Sequence, residues 1–352
     1  QNRPGFALVN QVKDSSRRVR LVEFSFSAAE TMVLEFGHLY IRFHTNGGTV
    51  LETAKAIGSI AGTTVNLATH GYAAGNWVFI GGRFFIVATV PDVNSFTVTD
   101  LFGAATTPVG ATAARVYEIA SIYPEAELFD LHYVQSADVL TLTHPSRPIH
   151  ELRRAGVTNW SLAQVSFASV MTPPTGVAIS KVQDGGTTAV RDYRYIVTSI
   201  NATGVEESEA SAEVTITNNL GQASNANTVT WTAAAGADRY SVYRHQGGVF
   251  GYIGHTSDLT FTDNNINPDT LRTPPEAALP FEAAGKYPSA VTYFDQRRVF
   301  AATDENPQTL WLTKAGSETN MTTSLPVQDS DAIKTFESTY QQRSPWLFGA
   351  IK

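Results

Sequence analysis

The stretch from Phe24 to Val50, FSFSAAETMVLEFGHLYIRFHTNGGTV, constrains this chain more than any other. Met32, Leu34 and Phe36 alternate with Val33 and Glu35, and the apolar phase resumes at Leu39, Ile41 and Phe43 with Tyr40 and Arg42 facing the other way. A period of two is that of a half-buried strand. Gly37-His38, between the runs, has the Gly-X form of a two-residue type II′ turn, with glycine at the positive-φ position. Asn46-Gly47-Gly48 closes the second arm. The expectation is a β-hairpin that acts as scaffold, with no residue placed for chemistry.

A length of 352 residues suggests roughly two to three domains. Hydrophobic residues at 43% against 16% charged suit a folded chain with large cores. No apolar run reaches the roughly 18 residues a membrane helix needs, and no signal peptide is visible. Cysteine is absent, which excludes disulfides, thiolate ligands and thiol nucleophiles. A net charge of −7 argues against a surface that grips duplex DNA. The basic segment Lys13, Arg17, Arg18 and Arg20 reads as a solvated strand or turn. The chain opens Gln-Asn-Arg-Pro-Gly and closes in an apolar stretch, and is read as a piece of a longer polypeptide.

The short alternating runs predict an all-β, multidomain fold. Residues 1–52 and 117–171 form a split β scaffold. Residues 53–116, rich in Gly, Ala and Thr, form an inserted small β-barrel-like module, with strands near Val65, Trp77–Ile80, Phe84–Val87 and Ser95–Val98. Residues 172–273 read as a β-sandwich of the fibronectin type III kind. Residues 274–352 resemble the first part of a β-propeller, too short to close one.

No candidate for chemistry outweighs its bland alternative. His144 and His150 flank two prolines and read as turn histidines rather than metal ligands. Glu125, Glu127, Asp130 and Asp138 could pair for glycan cleavage, but read as capping and solvation. Asp263, Asn265, Asn267 and Asp269 place oxygens at alternate positions, as a calcium loop does. Pro268 and Pro274 stand where such a loop needs Gly and Glu, so an Asx-turn explains the run equally well. No Gly-x-Ser-x-Gly elbow or phosphate-binding loop occurs. Tyr72 and Trp77, with Tyr243, Phe250 and Tyr252, are candidate exposed aromatics for a partner or glycan, against a core-strand alternative. The reading is therefore of no catalytic residue, no cofactor and no enzyme.

Several long strings carry a resemblance. Arg3-Pro4-Gly5-Phe6, Arg20 to Phe26, Glu30 to Gly37, Tyr40-Ile41-Arg42-Phe43, Asp130 to Leu140, His144-Pro145, Tyr287 to Arg298 and Asn306 to Trp311 resemble the tail nozzle family, or tail tubular protein B, of short-tailed bacteriophages and prophages. The resemblance implies a virion tail component, made in the host bacterial cytoplasm. It implies a hexameric ring contacting other tail proteins and passing DNA without holding it, with a propeller downstream and no membrane partner. The inserted module is similar to a small β-domain shared by phage proteins and the ubiquitin-activating enzyme, and no activity is carried over from it. In residues 173–270 the tyrosine strand at Tyr193 to Ile200 precedes the Trp231 strand, a departure from fibronectin type III order. The rival expectation is an adhesin or carbohydrate-binding β-sandwich protein.

Overall fold

A computed structural model describes residues 9–25, 31–167, 169–184, 188–204, 206–276, 279–322 and the strand backbone of 333–335. Arg3 to Phe6 lie outside them. The fold is all-β and multidomain: the described residues form six sheets and one 3-10 turn, Glu125–Glu127. The chain divides into two units. The first comprises Gln1–Leu131, Gln135–Leu142 and His150–Ala163; the second comprises His132–Val134, Thr143–Ile149 and Gln164–Lys352.

The chain runs through β1 (Arg20–Ser25), β2 (Thr31–Gly37), β3 (Tyr40–Thr45) and β4 (Gly48–Thr49). It then leaves through β5 (Lys55–Ala56), β6 (Ser59–Ala61), β7 (Thr64–Asn66), β8 (Trp77–Ile80), β9 (Arg83–Asp92), β10 (Ser95–Thr99) and β11 (Thr112–Arg115), and returns at β12 (Glu118–Ala120). The scaffold sheet has the order β1-β2-β3-β12, with β4 on β3. Its alternation buries Val22, Phe24, Met32, Leu34, Phe36, Ile41 and Phe43 on one face, against Leu128, Leu140, Leu152 and Trp160. Trp160 seals this core, its ring 4.8 Å from that of Phe24 and 4.6 Å from that of Phe43. Each buried phenylalanine contributes about 1.5–3 kcal/mol by leaving water.

The hairpin turn corrects the sequence reading by one residue. Gly37 stays in the strand opposite Tyr40, and His38-Leu39 makes the turn. Leu39, read as part of the apolar phase, is exposed and takes a φ of 63°. That conformation costs a non-glycine residue about 1–2 kcal/mol. Two backbone bonds hold it: Leu39 N–H donates to the Tyr123 carbonyl and Ser121 N–H to that of Leu39, both at 3.0 Å. Glycine at 37 answers a different need. A Cβ there would sit 2.1 Å from the Tyr40 ring. At the other end of β3, Asn46 and Gly47 have φ values of 50° and 71°, as a type I′ turn requires.

Strands β5 to β11 pair in the order β5-β11-β8-β9-β10-β7-β6. One core, with Val65, Val78, Ile80, Phe85, Val87, Phe96 and Val98, serves this single sheet. A lone sheet encloses a core only by curling on itself, which the register shifts between β9 and β10 assist. The strands enter and leave side by side, since Leu51 and Val116 form an antiparallel bridge.

A further sheet has the order β13 (His132–Ser136), β14 (Val139–His144), β15 (Arg147–Gly156), β16 (Asn159–Gln164). The second unit contains a sandwich of β17 (Thr175–Val182), β18 (Arg191–Ile200), β19 (Val214–Asn218), β20 (Ala226–Thr232), β21 (Arg239–Gln246), β22 (Val249–Thr256) and β23 (Thr260–Asp263). Its sheets are β17-β20-β23 and β19-β18-β21-β22. Tyr195 and Val197 from one sheet meet Val229 and Trp231 from the other. The tyrosine strand thus precedes the tryptophan strand and lies in the opposite sheet. An antiparallel meander follows: β24 (Ala290–Phe294), β25 (Arg297–Ala301), β26 (Thr309–Leu312) and β27 (Ile333–Thr335). Phe281, Phe300 and Trp311 pack within the same unit against Phe167.

Candidate functional site

The face of the hairpin opposite its core carries a buried polar row. Glu35 on β2 stands opposite Arg42 on β3, and Arg42 opposite Glu118 on β12. Strand pairing therefore sets three charged groups in a row across the sheet. Arg42 is only 1% exposed; its Nε donates to Glu118 Oε2 at 2.9 Å. Lys13 Nζ donates to the other oxygen of Glu118. Tyr40 Oη donates to Glu35 Oε1 at 2.6 Å, and His44 Nε2 to Glu35 Oε2 at 3.1 Å. Burial pushes the Glu35 carboxyl up, but the bonds from His44 and Tyr40 and the Arg42 charge outweigh it and hold it below its ordinary value. Burial first, and then the Glu35 carboxylate, push the Tyr40 phenol well above its usual range.

The two candidate interaction residues lie inside the first unit rather than on its surface. Trp77 is buried, and the Arg42 guanidinium lies 4.4 Å from its ring centroid. Its indole is the underside of the inserted module where that module meets the scaffold face. The Nη1 and Nη2 atoms of Arg42 have no hydrogen-bond acceptor and meet aromatic faces instead, Trp77 and, at 5.4 Å, Tyr40. Tyr72 is buried in the module's own core, its ring 5.3 Å from that of Phe96 and its Oη donating to the Ala113 carbonyl at 3.2 Å. Both are core aromatics, Trp77 in β8 and Tyr72 in the segment between β7 and β8, and neither is exposed. Tyr243 is likewise buried in the sandwich, its hydroxyl donating to Glu207 Oε1 at 2.7 Å.

In the second unit, the first of the alternating oxygens of 263–269 is occupied by protein partners. Asp263 is fully buried at the end of β23 and already committed. Its Oδ2 accepts from Arg244 Nη1 at 2.6 Å and from Tyr195 Oη at 2.7 Å. Its Oδ1 accepts the N–H groups of Asn265 and Ile266 at 2.9 and 2.8 Å. Asn227 Nδ2 donates to Tyr195 Oη at 2.8 Å and Asn218 Nδ2 to Asn227 Oδ1 at 2.8 Å, so a polar chain crosses between the two sheets of the sandwich. Asp269 caps its own turn, accepting the Leu271 N–H at 3.1 Å. Among the described residues no group of three or more His, Asp or Glu is placed to hold a metal ion. Nothing in the sequence marked Asp263 as a buried ion-pair partner, because Arg244 lies on another strand.

Glu125, Asp138 and His144 are also engaged locally. Glu125 accepts the Arg18 N–H at 3.0 Å, and Asp138 pairs with Arg154 at 3.1 Å. The Arg18 N–H is the main cause of a lowered Glu125 pKa, which suits a permanent anion rather than a general acid. His144 Nδ1 accepts the Ser146 N–H at 3.1 Å, a turn role. The basic segment is matched within the first unit. Lys13 meets Glu118, Arg17 meets Asp14 and Glu125, and Arg18 meets Glu125. Arg20 Nη1 donates to the carbonyls of Leu128 and Leu131.

Comparison with protein-family models matches residues 328–350 to the C-terminal domain of the small subunit of 3-isopropylmalate dehydratase. It carries no phage-tail signal, and this corrects the resemblance to the tail nozzle family, to which the chain is not assigned. The strings behind that resemblance have a local account. Tyr40-Ile41-Arg42-Phe43 is a strand with two core residues and two members of the buried polar row. The matched stretch contains none of the groups described above, and only Ile333–Thr335 within it belongs to the described residues.

Proposed function

We propose that this chain is a structural, non-enzymatic component of a bacteriophage tail, forming part of the wall through which DNA is ejected. The observation that supports it most is the engagement of the basic segment by groups within the chain. Lys13, Arg17, Arg18 and Arg20 each have a partner within the chain, and the net charge is −7. A wall that passes a polyanion should release few counterions and hold it weakly. The Arg42–Trp77 contact supports a shape-holding role, since it fastens the inserted module to the scaffold by a desolvated cation–π pair. Partners are further copies of the chain in a closed ring, through a heterologous interface, and neighbouring tail proteins. Exposed Val93, Phe102 and Val109 make the inserted module a contact surface for them.

Two measurements test this reading. Duplex DNA retention should be negligible at physiological salt; strong, salt-dependent retention would sink the passive-wall role. Electron microscopy of virions labelled with an antibody to this chain should mark the tail, and labelling elsewhere sinks the assignment.

A second reading, an adhesin or carbohydrate-binding β-sandwich protein, is favoured by one feature. A polar groove on the sandwich brings Asn265 and Asn267 together with residues of β18 and β21.

A further inference from the structure

The groove on the sandwich encloses about 610 Å³, within the usual range for a small-ligand site. Three elements form it: the start of β18 with Arg191, the end of β21 with Arg244, His245 and Gln246, and the loop after β23 with Asn265 and Asn267. We propose that this groove is a glycan-binding subsite for uncharged, hydroxyl-rich sugars. The proposal deepens the carbohydrate-binding reading and rests on it.

The floor of the groove is rigid. Arg244 is 4% exposed and is fixed to the fully buried Asp263 at 2.6 Å. The same carboxylate accepts the backbone N–H groups of Asn265 and Ile266, so one buried anion holds both the guanidinium and the loop backbone that carries the asparagines. Asn265 has a φ of 79°, a strained conformation retained where the surroundings over-determine it. Across the hairpin, Gly247 and Gly248 turn β21 into β22 with φ values of 63° and 92°. The backbone frame of the groove is therefore set before any ligand arrives, and the exposed side chains of Gln246, Asn265 and Asn267 stand on it.

The chemistry selects the class of ligand. Arg244 is neutralised by Asp263, and the lining carries Asp192 as well as Arg191, so the site has no charge excess to attract a polyanion. The side-chain amides of Gln246, Asn265 and Asn267 form no hydrogen bond among the described residues, and each offers both a donor and an acceptor. A sugar hydroxyl is also both donor and acceptor, and adjacent hydroxyls match such amides better than a carboxylate or an ammonium would. The Tyr193 ring is not available for stacking, because Arg191 and Arg244 lie 4.9 and 5.5 Å from its centroid. Without an aromatic platform a single site binds weakly, on the order of 1 mM, and repetition in an assembly would supply avidity.

Saturation-transfer NMR on the full chain tests the site with lactose, maltotriose and chitotriose as neutral probes and trigalacturonate as the acidic one. Transfer to at least one neutral sugar is expected, with roughly tenfold weaker binding in Asn265→Gly and in Gln246→Ala/Asn267→Ala. Asn265→Gly removes the amide while keeping a residue that accepts positive φ, so it remains informative if the double variant does not fold. Neutral-sugar binding that survives both changes places the sugar elsewhere, which overturns the groove and leaves the carbohydrate-binding reading standing. Transfer to trigalacturonate alone overturns the uncharged class. No transfer to any probe overturns the groove and that reading together.

Discussion

Tyr40 and Glu35 face the same side of the hairpin five residues apart, and the phenol O–H reaches the carboxylate at 2.6 Å across a turn closed by a strained leucine. Glu35 also takes the Nε2–H of His44 and sits opposite Arg42, so one carboxylate organises the polar face. Its pKa lies below the ordinary 4.5 despite burial. A depressed carboxyl stabilises the fold above its unfolded pKa, and that contribution is lost as pH falls through the folded value. Thermal melts should therefore drop as pH falls from 4.5. Glu35→Gln should lose about 1–3 kcal/mol at neutral pH and show a shallower acid dependence. An unchanged acid slope in the variant would remove Glu35 as its source.

Gly37 is required by a ring rather than by a turn. Gly37→Ala places a methyl 2.1 Å from the Tyr40 ring and must displace it from Glu35. A loss of about 1–3 kcal/mol in chemical denaturation is expected. In a Tyr40→Ala background the same substitution should cost little, because nothing remains to be displaced. Equal costs in the two backgrounds would show that the ring is not the reason for the glycine.

The inserted module can be removed on geometric grounds. Leu51 and Val116 form a bridge, Glu52 N–H donates to the Arg115 carbonyl, and Tyr117 N–H donates to that of Val50, so the cut ends are neighbours. Replacing 53–116 with a short Gly-Ser linker should leave cooperative thermal unfolding, at a lower midpoint because Arg42 loses its Trp77 cover. Collapse of the whole chain would make the module part of the scaffold's core. On the proposed tail role, phage carrying the same deletion should build defective tails, and normal tails would leave the module without a contact role.

Asp263 is a structural anion. Asp263→Ala strands Arg244 in the sandwich and should cost about 3–5 kcal/mol, read from denaturant unfolding. Millimolar calcium should leave the melting temperature of the parent chain unchanged, since both oxygens of Asp263 are occupied. A calcium-dependent rise abolished by Asp269→Ala would restore the cation site.

The sequence by itself determined the strands and the all-β class, because period-two alternation is local: Met32, Leu34, Phe36, Ile41 and Phe43 declare their buried face within one hairpin. It also marked a turn at Asn46-Gly47-Gly48, to which the structure gives positive φ at Asn46 and Gly47, residues that backbone sterics favour there. Tertiary structure decided the rest. Whether Trp77 is exposed depends on Arg42, thirty-five positions earlier, and whether Asp263 binds a cation depends on Arg244 and Tyr195 on other strands. Alternation marks the two faces of a strand but not what covers the second one. For Glu35, Arg42 and Glu118 that cover is supplied by segments distant in sequence, which turns a polar face into a desolvated network.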